Sequence, residues 1–201
     1  MADPARRLPD PSAPNDPDVE TAFQAVPDTE IAEILDGELY LQPRPARPHT
    51  RAATVLGTQV AGPFDLGAGG PGGWVILFEP EIHLGPRPDK LVPDLAGWRR
   101  ERLPDAIGGD DAPTYYDLSP DWACEVVSPR SEARDRVTKM RIYRREGVAH
   151  VWLVNPIART LEVYRLEGGR YVQIESFEGD EAVRAEPIDA IEHALGVLWR
   201  G

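Results

Sequence analysis

The 201-residue chain holds one cysteine, Cys124, and only two lysines, Lys90 and Lys139, among its 22 basic residues. A lone thiol excludes an internal disulfide and suits a reducing compartment. No apolar run approaches the roughly 20 residues of a membrane span. The N-terminus lacks the basic-then-apolar order of a secretory signal. The expectation is a cytoplasmic protein without membrane contact. The four histidines, His49, His83, His150 and His193, include no pair four residues apart and no cysteine neighbour, which argues against zinc. The glycines in residues 67–73 lack the Lys-Ser/Thr ending of a phosphate-binding loop. A basic excess is missing as well: the formal net charge is -12, which weighs against an extended nucleic-acid footprint.

What is present divides unevenly. Residues 1–28 carry six prolines, many acids and almost no apolar periodicity, the composition of a disordered tail. Residues 29–201 are expected to form one domain. Residues 30–35 read as a helical turn, Asp36-Gly37 as a tight turn into a strand at 38–42, and residues 50–64 as a helix with Val55, Leu56, Gln59 and Val60 on one face. Strands follow at 74–84, 91–98 and 121–127, with a polar loop over 99–119. Ser128-Pro129 opens a helix whose buried stripe would be Val137, Met140 and Tyr143 or Arg144, and Gly147 ends it. A strand at 148–155, a hairpin at 160–166 and 170–176 turning at Gly168-Gly169, and a last helix at 188–199 complete the order. The core order αβββαβ, with an added C-terminal hairpin, predicts an α/β domain with a mixed sheet flanked by helices.

One acid interrupts the apolar run around Trp122 and Val127: Glu125. Burying an unpaired carboxylate costs several kcal/mol, so Glu125 needs a partner. If the hairpin 74–98 folds symmetrically about residues 85–90, Glu81 stands opposite Asp94 on one face. Two carboxylates there repel unless a cation lies between them or one is protonated. With Glu125 they form an oxygen-rich cluster suited to Mg²⁺ or Mn²⁺. Lys139 follows on the next helix. In a chain that uses arginine for nearly every other positive charge, a retained lysine is a candidate for proton transfer or for a compact charge beside a phosphate. Taken singly, each has a structural explanation. Pro93-Asp94 is common turn chemistry, Glu125 could pair with Arg134 or Arg136, and Lys139 could pair with Asp135 at i,i+4.

Together these residues resemble a known group. Val92-Pro93-Asp94, Glu125-Val126-Val127-Ser128-Pro129, Asp135, Lys139, Tyr143, Gly147-Val148, Val151-Trp152-Leu153-Val154 and Glu162-Val163-Tyr164 look like the Uma-type "putative restriction endonuclease" family of the PD-(D/E)xK nuclease superfamily. Asp36-Gly37-Glu38 and His49 fit that family's opening. The resemblance covers residues 30–166 and implies a restriction-endonuclease-like fold with a Mg²⁺-dependent phosphodiesterase site. It implies Asp94 and Glu125 as metal ligands, with the Val126 carbonyl as a third. The superfamily's lysine stands two residues after the acid, where this chain has Val127. The resemblance moves that role to Lys139.

The function expected is an endonuclease acting on nucleic acid, DNA before RNA, by a metal-activated water. Between Pro129 and Arg145 the local charge is +5, and Arg130, Arg134 and Arg141 would grip the backbone. The alternative is a non-catalytic interaction or regulatory module that retains the nuclease scaffold; a small phosphate-ester hydrolase is a third reading. A homodimer through the hairpin after Thr160 and the aromatic Trp199 is a further expectation.

Overall fold

The computed structural model describes residues 15–103 and 112–200. Its first helix, α1 (Pro17–Gln24), falls inside the segment expected as a tail, which corrects that reading for residues 17–24. Asp16 caps it by accepting from the Asp18 N–H at 2.9 Å, and Pro17 sits where a missing N–H does no harm. No α1 residue is buried. The helix is held instead by Lys90, which pairs with Glu20 and lies 4.2 Å from the Phe23 ring centre. Anchoring by charge and ring leaves no apolar periodicity to read. Residues 1–14 lie outside the described residues.

Strands β1 (Ala32–Leu35) and β2 (Glu38–Leu41) are joined by Asp36 and Gly37, both at positive φ. That geometry closes a two-residue hairpin, Leu35 facing Glu38. Residues 32–35 are therefore a strand and not the helical turn expected. All four are buried, which sheet pairing on both edges permits and an isolated turn does not. Helix α2 (Arg47–Val60) starts three residues earlier than expected and continues as a π-helical segment, Ala61–Asp65. It buries Ala52, Leu56, Gly57 and Val60.

The long hairpin expected from residue 74 to 98 is cut in two. It contains β3 (Trp74–Phe78), β4 (Ile82–Leu84), β5 (Asp89–Leu91) and β6 (Leu95–Arg99). Glu79, at φ 45°, and Pro80 break the outgoing arm, and Pro93 breaks the return, since proline offers no N–H to a ladder. Beyond them lie β7 (Trp122–Val126), helix α3 (Met140–Arg145), β8 (His150–Asn155), β9 (Thr160–Glu167) and β10 (Arg170–Glu178). The central sheet runs β10-β9-β8-β7-β6-β3, antiparallel except for β7 and β8. A second sheet runs β2-β1-β5-β4. The two halves of the broken hairpin thus lie in different sheets.

β7 is buried along its whole length, as its near-continuous apolar sequence predicts. Cys124 and Val126 face one core with α2, Trp74, Trp122 and Trp152. Ala123 and Val127 face a second core with Ile82, Leu91, Ile142 and Tyr143. Trp122 and Trp152 meet edge to face at 5.2 Å, a contact worth about 0.5–1.5 kcal/mol beyond its area. The Cys124 thiol is free and buried.

A further expectation is corrected. Residues 188–199 are not one helix: β12 (His193–Ala194) pairs with β11 (Ala182–Val183), and only Gly196–Trp199 (α4) is helical. Ile188 and Leu195 reach the core from turn conformations whose spacing mimics a helical stripe. Trp199, expected as surface for a second copy, packs against the first core and donates to the Gly179 carbonyl at 2.7 Å. Residues 104–111 of the expected polar loop lie outside the described residues. Among the described residues no helix is long and apolar enough to cross a membrane.

Candidate active site

Asp94 stands at the start of β6, one residue before the pair Leu95↔Cys124. Continued by one residue, that register sets Asp94 across from Glu125 on the same face. Its carboxylate is fixed from that side: Oδ2 accepts the Val126 N–H at 2.7 Å. On the other edge Phe78 pairs with Leu95, and the Glu79 N–H donates to the Asp94 carbonyl at 3.2 Å. The residue opposite Asp94 is therefore Glu79. The expectation that Glu81 faces Asp94 is corrected, because Leu84 pairs with Asp89 and so centres the turn one residue earlier. Glu81 instead contacts His83 Nε2 at 2.6 Å, and that imidazole stacks on Tyr115.

Glu125 is 2% exposed. Oε1 accepts from the Tyr143 hydroxyl at 2.5 Å and Oε2 from Lys139 Nζ at 3.0 Å. Its partner is thus the lysine. Arg136 makes a bidentate pair with Glu162 at 2.8 and 2.7 Å. Lys139 reaches inward because the helix after Ser128 is not regular. A turn at Ser128–Ser131 leads into a π-helical segment, Arg134–Lys139, and then α3. The wider turn rotates the buried face to Asp135, Lys139, Ile142 and Tyr143, leaving Val137 59% exposed. The expected stripe through Val137 is corrected accordingly.

Lys139 also pairs with Glu33 Oε1 at 2.9 Å. Glu33, on β1, is fully buried and was not among the residues singled out from sequence. Its signal was present: an acid between Ala32 and Ile34, the pattern that marked Glu125. Its Oε2 has no hydrogen-bond partner among the described residues, and Arg134 Nε, equally unpartnered, lies 3.8 Å away. Burial pulls the Lys139 ammonium toward neutrality, but Glu125, Glu33 and Asp135 outweigh it and raise its pKa. Burial pushes the Glu125 carboxyl well above the usual range against the pull of Lys139, with Asp135, Asp94 and Glu33 adding to the rise.

Asp94 opens onto a cleft of about 780 Å³. His49, Glu79, Ser128, Arg44, Arg130 and Arg134 share its wall. His49 Nε2 sits 3.1 Å from Asp94 Oδ1. Burial lowers the pKa of that imidazole, yet the hydrogen bond and charge of Asp94 reverse the sign and raise it overall. Of the three arginines expected at nucleic acid, Arg130 and Arg134 line this cleft. Arg141 is paired with Asp36 at the β1–β2 turn and does not line it.

The donor chemistry fits a hard divalent cation. Asp94 and Glu125 carry carboxylates on one face, Asp94 at the cleft and Glu125 behind it with its oxygens held by Tyr143 and Lys139. The Val126 N–H points to Asp94, so its carbonyl projects to the same edge of β7. Glu33, Asp94, Glu125 and Asp135 outnumber Lys139 and Arg134 in the cluster. No group of three His, Cys, Asp or Glu side chains suited to a metal occurs among the described residues. Two carboxylates, a carbonyl and water are the donors Mg²⁺ ordinarily accepts.

A family model described as "Uma2: Putative restriction endonuclease" matches residues 20–195. Among solved structures, a protein from Anabaena variabilis ATCC 29413, described as a putative nuclease belonging to DUF820, superposes with a TM-score of 0.72. It is 18% identical, and the match covers 90% of this chain and 96% of that one. This likeness establishes a shared fold. A search of curated proteins finds no match.

Proposed function

The chain belongs to the Uma2 family of "putative restriction endonucleases", and from that membership we propose that it is a metal-dependent endonuclease hydrolysing phosphodiester bonds of nucleic acid, DNA in the first instance. The observation that carries this reading is the placement of Asp94 and buried Glu125 across from one another on adjacent strands, with Asp94 opening onto a cleft walled by Arg44, Arg130 and Arg134. Asp94, Glu125 and the Val126 carbonyl would hold Mg²⁺ or Mn²⁺. When bound, that cation supplies an activated water and neutralises phosphate charge.

The remaining chemistry belongs to the chain. The Val126 N–H holds Asp94 in one orientation, so no side-chain search precedes ligation. Arg130 and Arg134 meet the phosphate backbone and set its register. Three buried carboxylates keep the proton on Lys139 Nζ, which supports a fixed positive charge beside Glu125 as negative charge develops at the cleft.

Incubation of purified protein with supercoiled DNA and Mg²⁺ or Mn²⁺ should give nicks that EDTA prevents. Asp94→Ala and Glu125→Ala should each lower the rate by about 10³-fold or more, the loss expected when a metal ligand or charge stabiliser is removed. Cleavage that persists in both variants at the wild-type rate would sink the assignment. Parallel assays on single strands and RNA define the substrate.

One observation favours a second reading, a non-catalytic module on the nuclease scaffold: both Glu125 oxygens already accept from protein donors. Calorimetric titration with Mg²⁺ separates the two. Saturable binding lost in Asp94→Asn supports the enzyme, and no binding at millimolar Mg²⁺ supports the module.

A further inference from the structure

All three N–H donors of Lys139 are engaged within the protein. They meet Glu33 Oε1 at 2.9 Å, Glu125 Oε2 at 3.0 Å and the Val92 carbonyl at 3.3 Å. Glu33 Oε1 also accepts the Val92 N–H at 2.9 Å. One carboxylate on β1 therefore holds both the lysine and the peptide that precedes Pro93-Asp94. Glu33 and Glu125 both contact a single buried ammonium.

This arrangement bears on how a cation could enter. A cation that takes up Glu125 competes with the ammonium for the same carboxylate. Were Glu125 the sole counter-ion of Lys139, binding would strand a buried positive charge, which is strongly unfavourable. Glu33, in direct contact with Nζ and supported by the more distant charge of Asp135, removes that conflict. Its nearest arginine is 3.8 Å away, too far for a hydrogen bond, so its charge serves Lys139.

Resting on the two-carboxylate cation site proposed above, we infer that Glu33 is a positioning residue: it retains the Lys139 ammonium when a divalent cation claims Glu125. The lysine then stays charged and in place beside the cation instead of blocking it.

The test is Mn²⁺ binding, read from the loss of the free-ion paramagnetic signal, in wild type, Glu33→Gln, Lys139→Met and the double variant. Glutamine keeps an oxygen for the Val92 N–H and removes only the charge. Glu33→Gln should weaken Mn²⁺ binding about tenfold, whereas in the Lys139→Met background the same change should cost less than about threefold, a coupling that reports contact through the lysine. An equal loss in both backgrounds means that Glu33 acts through its field alone and overturns the inference, as does unchanged affinity in Glu33→Gln.

If Lys139→Met fails to fold by circular dichroism, Glu33→Asp decides. It keeps the charge but is one methylene too short to hold Nζ. A loss matching Glu33→Gln supports the role, and wild-type affinity refutes it. Absence of Mn²⁺ binding by the wild type would remove the cation site itself and this inference with it. Binding that ignores Glu33 removes the inference alone.

Discussion

Tyr143 and Glu125 form a pair in which each buried polar group answers the other. The hydroxyl donates to Oε1 at 2.5 Å, and both side chains are closed to solvent. Tyr143→Phe keeps the ring packing and strips one carboxylate oxygen of its donor. Unfolding free energy should fall by about 1–3 kcal/mol, measured by urea denaturation with the slope unchanged. A loss below about 0.5 kcal/mol would show that the oxygen finds another donor.

At this scale the sequence was informative where chemistry stood out against composition. Glu125 was legible because it broke an apolar run, and Lys139 because the chain uses lysine so seldom. Glu33 carries the same mark as Glu125 but was hidden by assigning its segment to a helical turn. Glu79 was missed by a turn centre displaced by one residue, which moves every cross-strand partner by two. Such a shift preserves the face, so one acid was exchanged for another.

Among elements, the π-helical segment Arg134–Lys139 separates what an α-helical period predicts from what is buried. Ile142→Ala should cost about 2–5 kcal/mol as a core truncation, and Val137→Ala should stay within about 0.5 kcal/mol, by thermal or chemical denaturation. The reverse order would restore a regular helix. β7, β8 and the β9–β10 hairpin were readable from apolar runs and a Gly-Gly turn, signals carried within each segment. The helix through residue 199 was not: apolar spacing of three and four recurs there on turns and a short strand pair. Nor was the division of the long hairpin between two sheets, because alternation continues through Glu79 and Pro80 without a change of period.

For the molecule as a whole, the charge of -12 confines any nucleic-acid contact to a small footprint. Arg44, Arg130 and Arg134 are the arginines in the cleft wall. Three phosphate contacts give a slope of log K against log salt of about -2 to -3, shallower for single strands than for duplex. Fluorescence anisotropy in Ca²⁺ over 50–200 mM salt, approximate limits chosen for that regime, measures it. A slope steeper than about -6 would place most of the contact outside this cleft.

The β3–β6 ribbon threads through both layers, and Asp94 lies at the crossing, tied by Val126 to one sheet and, through Val92 and Glu33, to the other. Sliding one layer past the other would therefore draw Glu33 away from the Val92 peptide and Lys139, while Asp94 and Glu125, both on the central sheet, kept their register. The hold of Glu33 on Lys139 is in effect a gauge of how the sheets are seated, and substitutions far from the cleft that disturb their seating should be felt there first.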